Sequence, residues 1–132
     1  MKFDLDPREL DPWAGLLRRA GDAAAVGGRA VVAKGSLNIK NDARDHAPSG
    51  GHAKYYPASI SYDFTTDGPD TFETETGPVE GRKQRGLGNL LEYGGPHNQP
   101  HPHLEPALDH EEPRFYAAAE DLAADLVERF SL

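Results

Sequence analysis

Four histidines crowd one stretch of the chain, His97, His101, His103 and His110, with Glu105 and Asp109 beside them. In His101-Pro102-His103 the spacing puts both rings on one side of an extended backbone, because side chains alternate along it. Two imidazoles and a nearby carboxylate are a ligand set for zinc or nickel. A small His-rich metal-binding protein or metal-dependent enzyme is therefore one reading. The prolines argue for another. Residues 95–102 hold Pro96, Pro100 and Pro102, which bias the backbone toward polyproline II geometry and need no metal to do so. On that second reading the segment is structural, the protein binds no cofactor and it is not an enzyme.

Other chemistry is thinner. Ser49, Ser59 and Ser61 sit outside any G-x-S-x-G elbow. Glu73, Glu75 and Glu92 could be paired as in a glycosidase, but acids at alternate strand positions normally form a solvated face. Ser49-Gly50-Gly51 and Gly86-Leu87-Gly88 lack the Walker spacing and its Lys-Ser/Thr end, so both read as turns. Arg82, Lys83 and Arg85 lie on a glycine-rich loop and either touch DNA or an acidic partner or are simply solvated. Glu92-Tyr93-Gly94 is followed by the proline-rich segment. It is either a helix end closed by a left-handed glycine, or the base of an arm that docks on a neighbour with Leu104 and Leu108 as apolar anchors.

The elements around these residues follow from periodicity. Phe3 and Leu5 alternate with charged neighbours, which predicts a short strand over residues 2–6 with its partner elsewhere. Asp6-Pro7 or Asp11-Pro12 starts a helix. That helix runs from residue 8 to about 45, with Trp13, Leu16, Leu17, Ala20, Ala24 and Val31 on one face. Gly27-Gly28 marks a kink or a tight helix contact, and Ala47-Pro48 with Gly50-Gly51 ends the helix. Ile60, Tyr62 and Phe64 form one half-buried strand, and Phe72, Thr74 and Thr76 a second. With Asp67-Gly68-Pro69 between them they predict a hairpin whose acidic face is exposed. Leu87–Tyr93 is too short to assign to helix or strand. A last helix is expected from near Asp109, with Pro113 in or near its first turn. Its stripe is Phe115, Ala118, Ala119, Leu122, Leu126 and Phe130.

The chain has 132 residues, the size of one domain spanning 1–132. It has no cysteine, which excludes disulfides and Cys-based zinc sites. No signal peptide is visible at the N-terminus, and no apolar run approaches the roughly 20 residues that span a membrane. The net charge of −8 argues against a dedicated nucleic-acid binder. The acidity reads either as plain solubility or as a surface that repels DNA.

Several short motifs occur in order: Ala47-Pro48, Ser59-Ile60, Glu92-Tyr93-Gly94, Pro100-His101-Pro102-His103-Leu104 and Pro106-Ala107-Leu108. In this ordered set the chain resembles the siphophage tail-component family, described as neck, tail-completion or head–tail connector proteins. The likeness covers residues from about 10 to 130 and is strongest from Gly88 to Leu108. One loop departs from it: where the family carries a Thr-Gly-x-Leu type loop, this chain has Ser49 to Pro57. The resemblance implies an α+β fold, in which a long N-terminal helix and a C-terminal helix pack on a small antiparallel sheet, with an extended Pro-rich arm. It also implies a virion protein, made in the host bacterial cytoplasm and placed at the head–tail junction. There it would form a homo-oligomeric, hexameric ring that completes or terminates the tail tube and joins it to the head-closure ring. Its partners would be the head-closure or connector protein and the major tail tube protein, with DNA passing through the lumen unbound. The interface residues expected are Glu92, Tyr93, Gly94, Pro100, His101, Pro102, His103, Leu104, Pro106 and Leu108, with Arg82, Lys83 and Arg85.

Overall fold

The computed structural model describes all residues 1–132. Both proline starts are used. Asp6 caps a 3-10 turn at Pro7–Leu10, its carboxylate accepting from the Arg8 N–H at 2.9 Å, and helix α1 then runs from Asp11 to His46. It ends at Ala47, which is extended, as the residue before a proline tends to be. Gly27-Gly28 does not break α1. The glycine instead permits the tight contact: a Cβ on Gly27 would sit 2.5 Å from Leu122 Cδ1.

Leu122 belongs to α3, Leu104–Phe130, which runs antiparallel along α1. Going down α1 the partners climb α3: Gly27 meets Leu122, Gly35 meets Phe115, Asn38 donates to Glu111 at 3.0 Å, and Asp42 pairs with His110. Strands β1, Ile60–Asp67, and β2, Phe72–Pro78, form an antiparallel hairpin with a bulge between Phe64 and Thr66. Phe72, Thr74 and Thr76 are half-buried toward α1, while Glu73 and Glu75 point to solvent. Ser36 on α1 hydrogen-bonds Thr74, and Arg29 clasps Asp67 with two 2.9 Å bonds. The architecture is thus α+β, two long helices on a two-stranded antiparallel sheet. Short α2, Gly88–Tyr93, closes one end. No helix is long and apolar enough to cross a membrane.

The core lies at the end where α1 finishes and α3 begins. Ala43, Ala47, Ala53, Tyr56, Ile60 and Ala107 are buried there, with Ile39, Leu87, Leu91 and Leu104 packed on them. Small alanines let the elements approach, and Tyr56 and Ile60 supply the bulk.

Two expectations are corrected. Residues 2–6 form no strand, because they leave the far end of α1, where no sheet edge is available to pair with them. Helix α3 starts at Leu104, not near Asp109, because Glu92 supplies the cap that the sequence around Leu104 lacks. Pro113 is consequently inside the helix, where it leaves the Asp109 carbonyl without a helical donor. The proline-rich segment is tied to the body at two points. Gly95 and Asn98 close a tight turn through paired backbone bonds, and the His101 N–H donates to the Leu91 carbonyl at 2.6 Å.

Candidate functional site

Glu92 is the hub of the sequence-selected cluster. The start of α3 exposes the N–H groups of His103, Leu104 and Glu105, which have no helical acceptor. The carboxylate takes all three, at 2.9, 3.1 and 3.0 Å. The next residue is Pro106, which has no N–H to satisfy. One buried side chain therefore serves the whole first turn from eleven or more residues away, and its negative charge sits at the positive end of the helix dipole. Burial alone would raise the Glu92 pKa. The three N–H donors and the His103 ring outweigh it and hold the carboxyl below its ordinary 4.5.

His103 completes the cluster. Its Nδ1 lies 2.7 Å from the His101 carbonyl and 3.0 Å from Glu92 Oε2. Both neighbours only accept, so Nδ1 carries the proton. Nε2 hydrogen-bonds the Tyr56 hydroxyl at 2.7 Å, accepting from it when the ring is neutral and donating to it when the ring is charged. The Tyr56 and His103 rings meet edge to face with centroids 5.3 Å apart. Burial, with the Glu92 charge adding to it, pushes the Tyr56 phenol up to about 12. Gly94 ends α2 at φ +76°, and a Cβ there would meet the Asn98 carbonyl and Pro100 nitrogen at 2.9 Å. Chemically this is a closed latch. Every polar atom of Glu92 and His103 is used internally, so neither has a lone pair or proton to offer a substrate.

The four histidines do not converge. His103 is buried in the latch, and His110 Nδ1 pairs at 2.9 Å with Asp42, which His46 also approaches at 2.8 Å. His97 and His101 lie on the exposed turn and strap. No group of three or more His, Cys, Asp or Glu side chains is placed to hold a metal ion.

The remaining sequence-selected residues divide by exposure. Glu92 and His103, expected at an interface, are buried inside this chain, and Leu104 packs half-buried on the core. Pro106 is half-buried. Tyr93, Pro100, His101, Pro102, Leu108, Arg82, Lys83 and Arg85 are exposed. Lys83 stands 4.8 Å from the Tyr55 ring centroid, and Arg85 pairs with Glu80 at 3.1 Å. This basic loop is fixed by a residue the sequence did not single out. Gln84, left-handed at φ 62°, accepts from the Tyr55 N–H and donates to the His52 carbonyl. Tyr56 was missed in the same way, being adjacent to neither Glu92 nor His103 in sequence.

Tyr93 and Leu108, 73% and 52% exposed, stand on a half-open groove of about 1190 Å³ between β2, α3 and the middle of α1. It is larger than the roughly 300–1,000 Å³ of most small-molecule pockets. Its floor is apolar, with Val32, Ile39, Phe72 and Phe115. Glu73, Glu75, Glu92, Glu105, Glu111 and Glu112 line it, and no Lys, Arg or His does. Glu111 is 4% exposed, and its Oε2 accepts no hydrogen bond.

Among known proteins, no family model, no curated protein and no solved structure matches this chain.

Proposed function

We propose that this chain is a structural, non-enzymatic subunit of a ring at a phage head–tail junction, completing the tail tube and joining it to the head-closure ring. The observation that carries the reading is the Glu92–His103–Tyr56 latch. The segment richest in candidate chemistry, Gly88 to Leu108, spends its carboxylate and its buried imidazole on fastening one helix to another. It leaves a shaped, apolar surface exposed beside them. That is the economy of an assembly subunit, which works by presenting surfaces. The ordered motifs that resemble those of tail-completion proteins suggest the setting, and the net charge of −8 suits a conduit through which DNA slides without sticking.

The test is electron microscopy of particles made by a phage lacking this gene. Filled heads with separate tails are expected. Overlong tails would assign a terminator role, and tails of normal length a joining role. Intact infectious virions would overturn the reading.

A further inference from the structure

Helix α1 is longer than anything it packs on. Gly27 lies beside Leu122, and α3 ends at Phe130. Stepping one residue along each antiparallel helix, α3 runs out near Arg19. Ala20 is accordingly the first buried residue of α1. The turns before it overhang the body, with Trp13 60% and Leu17 58% exposed. This apolar face has no partner in the monomer. From Pro12 to Ala20 the overhang carries Arg18 and Arg19 and no acid, although the chain is acidic in sum.

The groove has the opposite character. Its lining includes six glutamates, Glu92 held in the latch and Glu73 and Glu75 at the solvent edge, and no cation; its floor is apolar, and the buried Glu111 Oε2 has Arg114 no nearer than 3.5 Å and no hydrogen-bond donor. A continuous helix cannot turn back into its own groove. We infer that the overhang Pro12–Ala20 of one copy docks in the groove of the next, with Trp13 and Leu17 on the apolar floor and Arg18 and Arg19 toward the glutamates. An aromatic anchor in a desolvated pocket with charge at its edge is how binding energy concentrates in interfaces. The contact joins two different faces, so it repeats head to tail and closes into a ring if the rotation allows. This deepens the ring reading by naming the subunit contact, and rests on that reading only for its biological setting.

Two variants separate the faces, both altering exposed side chains and sparing the latch. Trp13→Asp/Leu17→Asp spoils the overhang and keeps the groove. Leu108→Arg/Tyr116→Arg spoils the groove and keeps the overhang. Trp13 is the only tryptophan, so its emission reports docking directly. Light scattering on the wild-type full chain should give masses above 14.4 kDa, with Trp13 emission shifted to the blue as concentration rises. Each variant alone should stay monomeric. Mixed, they should form a one-to-one complex that grows no further, and its only tryptophan, from the groove variant, should shift to the blue. A wild-type chain that stays monomeric with water-exposed emission at millimolar concentration overturns the inference. So does either variant associating as the wild type does, which would place the contact on another face, or a mixture that remains monomeric. These readouts need no phage. Complementing variants with intact knockout virions would sink the head–tail reading alone, and the reverse result would sink the docking alone.

Discussion

Glu92 satisfies three N–H groups with one carboxylate, and its replacement should show how much of the fold hangs on that. Glu92→Gln keeps the shape but offers one acceptor oxygen, turning an amide N–H₂ toward backbone donors. Hydrogen bonds to a charged group are worth about 1.5–3 kcal/mol each in the cost of leaving a partner unmet. A loss of about 3 kcal/mol is expected, lowering Tm by roughly 10 °C for a domain of this size. The effect has a pH signature. Because the folded-state pKa lies below the ordinary 4.5, the stabilisation is complete above that value and is lost as pH falls through the folded pKa. Urea midpoints for wild type and Glu92→Gln should therefore differ most at neutral pH and converge as the pH falls through the folded pKa. Curves that stay parallel over this range would mean that the carboxylate charge is not what holds the turn.

The contact between α1 and α3 is set by Gly27, and it makes a paired prediction. Alanine at a helix interior is favoured over glycine by about 1 kcal/mol. Here the added methyl would stand 2.5 Å from Leu122 Cδ1, and overpacking costs about 1–3 kcal/mol. Gly27→Ala should be net destabilising in the wild type and stabilising in a Leu122→Ala background, with denaturant melts of the four chains reading the reversal. Sequence alone offered two readings of that glycine pair, a kink or a tight contact, and could not choose between them, since the choice depends on where Leu122 lies in space. Period-two alternation placed both strands of the hairpin, because Phe64 and Phe72 have a face to bury. The same alternation in Phe3 and Leu5 predicted a strand that does not form, because a strand also needs an edge to pair with, and nothing local reports that. The start of α3 was misplaced for a related reason. Its cap comes from Glu92, across the turn and strap, and no nearby Ser, Thr, Asn or Asp announces it. Pro106, read as part of an anchor, was the available sign of a first helical turn.

Few residues are buried in this chain. Its core is a cluster of four alanines with Tyr56 and Ile60, placed at one end, while α1 runs on into solvent at the other. A chain built this way has little stability of its own to spare and would gain from contacts that cover its overhang and groove. Association of folded copies stabilises them by mass action, about 2.7 kcal/mol when the partner is present at a hundred times Kd. Wild-type Tm should therefore climb with protein concentration, by roughly 10 °C across that range, whereas Trp13→Asp/Leu17→Asp should melt at one temperature throughout. The arginines add a second handle. If Arg18 and Arg19 meet glutamates across the contact, raising salt screens the attraction, and the concentration dependence should weaken, while an apolar contact alone would be kept or strengthened by salts such as sulfate. Calorimetric scans over concentration, at low and high sodium chloride, read both effects. A wild-type Tm that ignores concentration would show that the exposed face of α1 is covered by something other than a second copy.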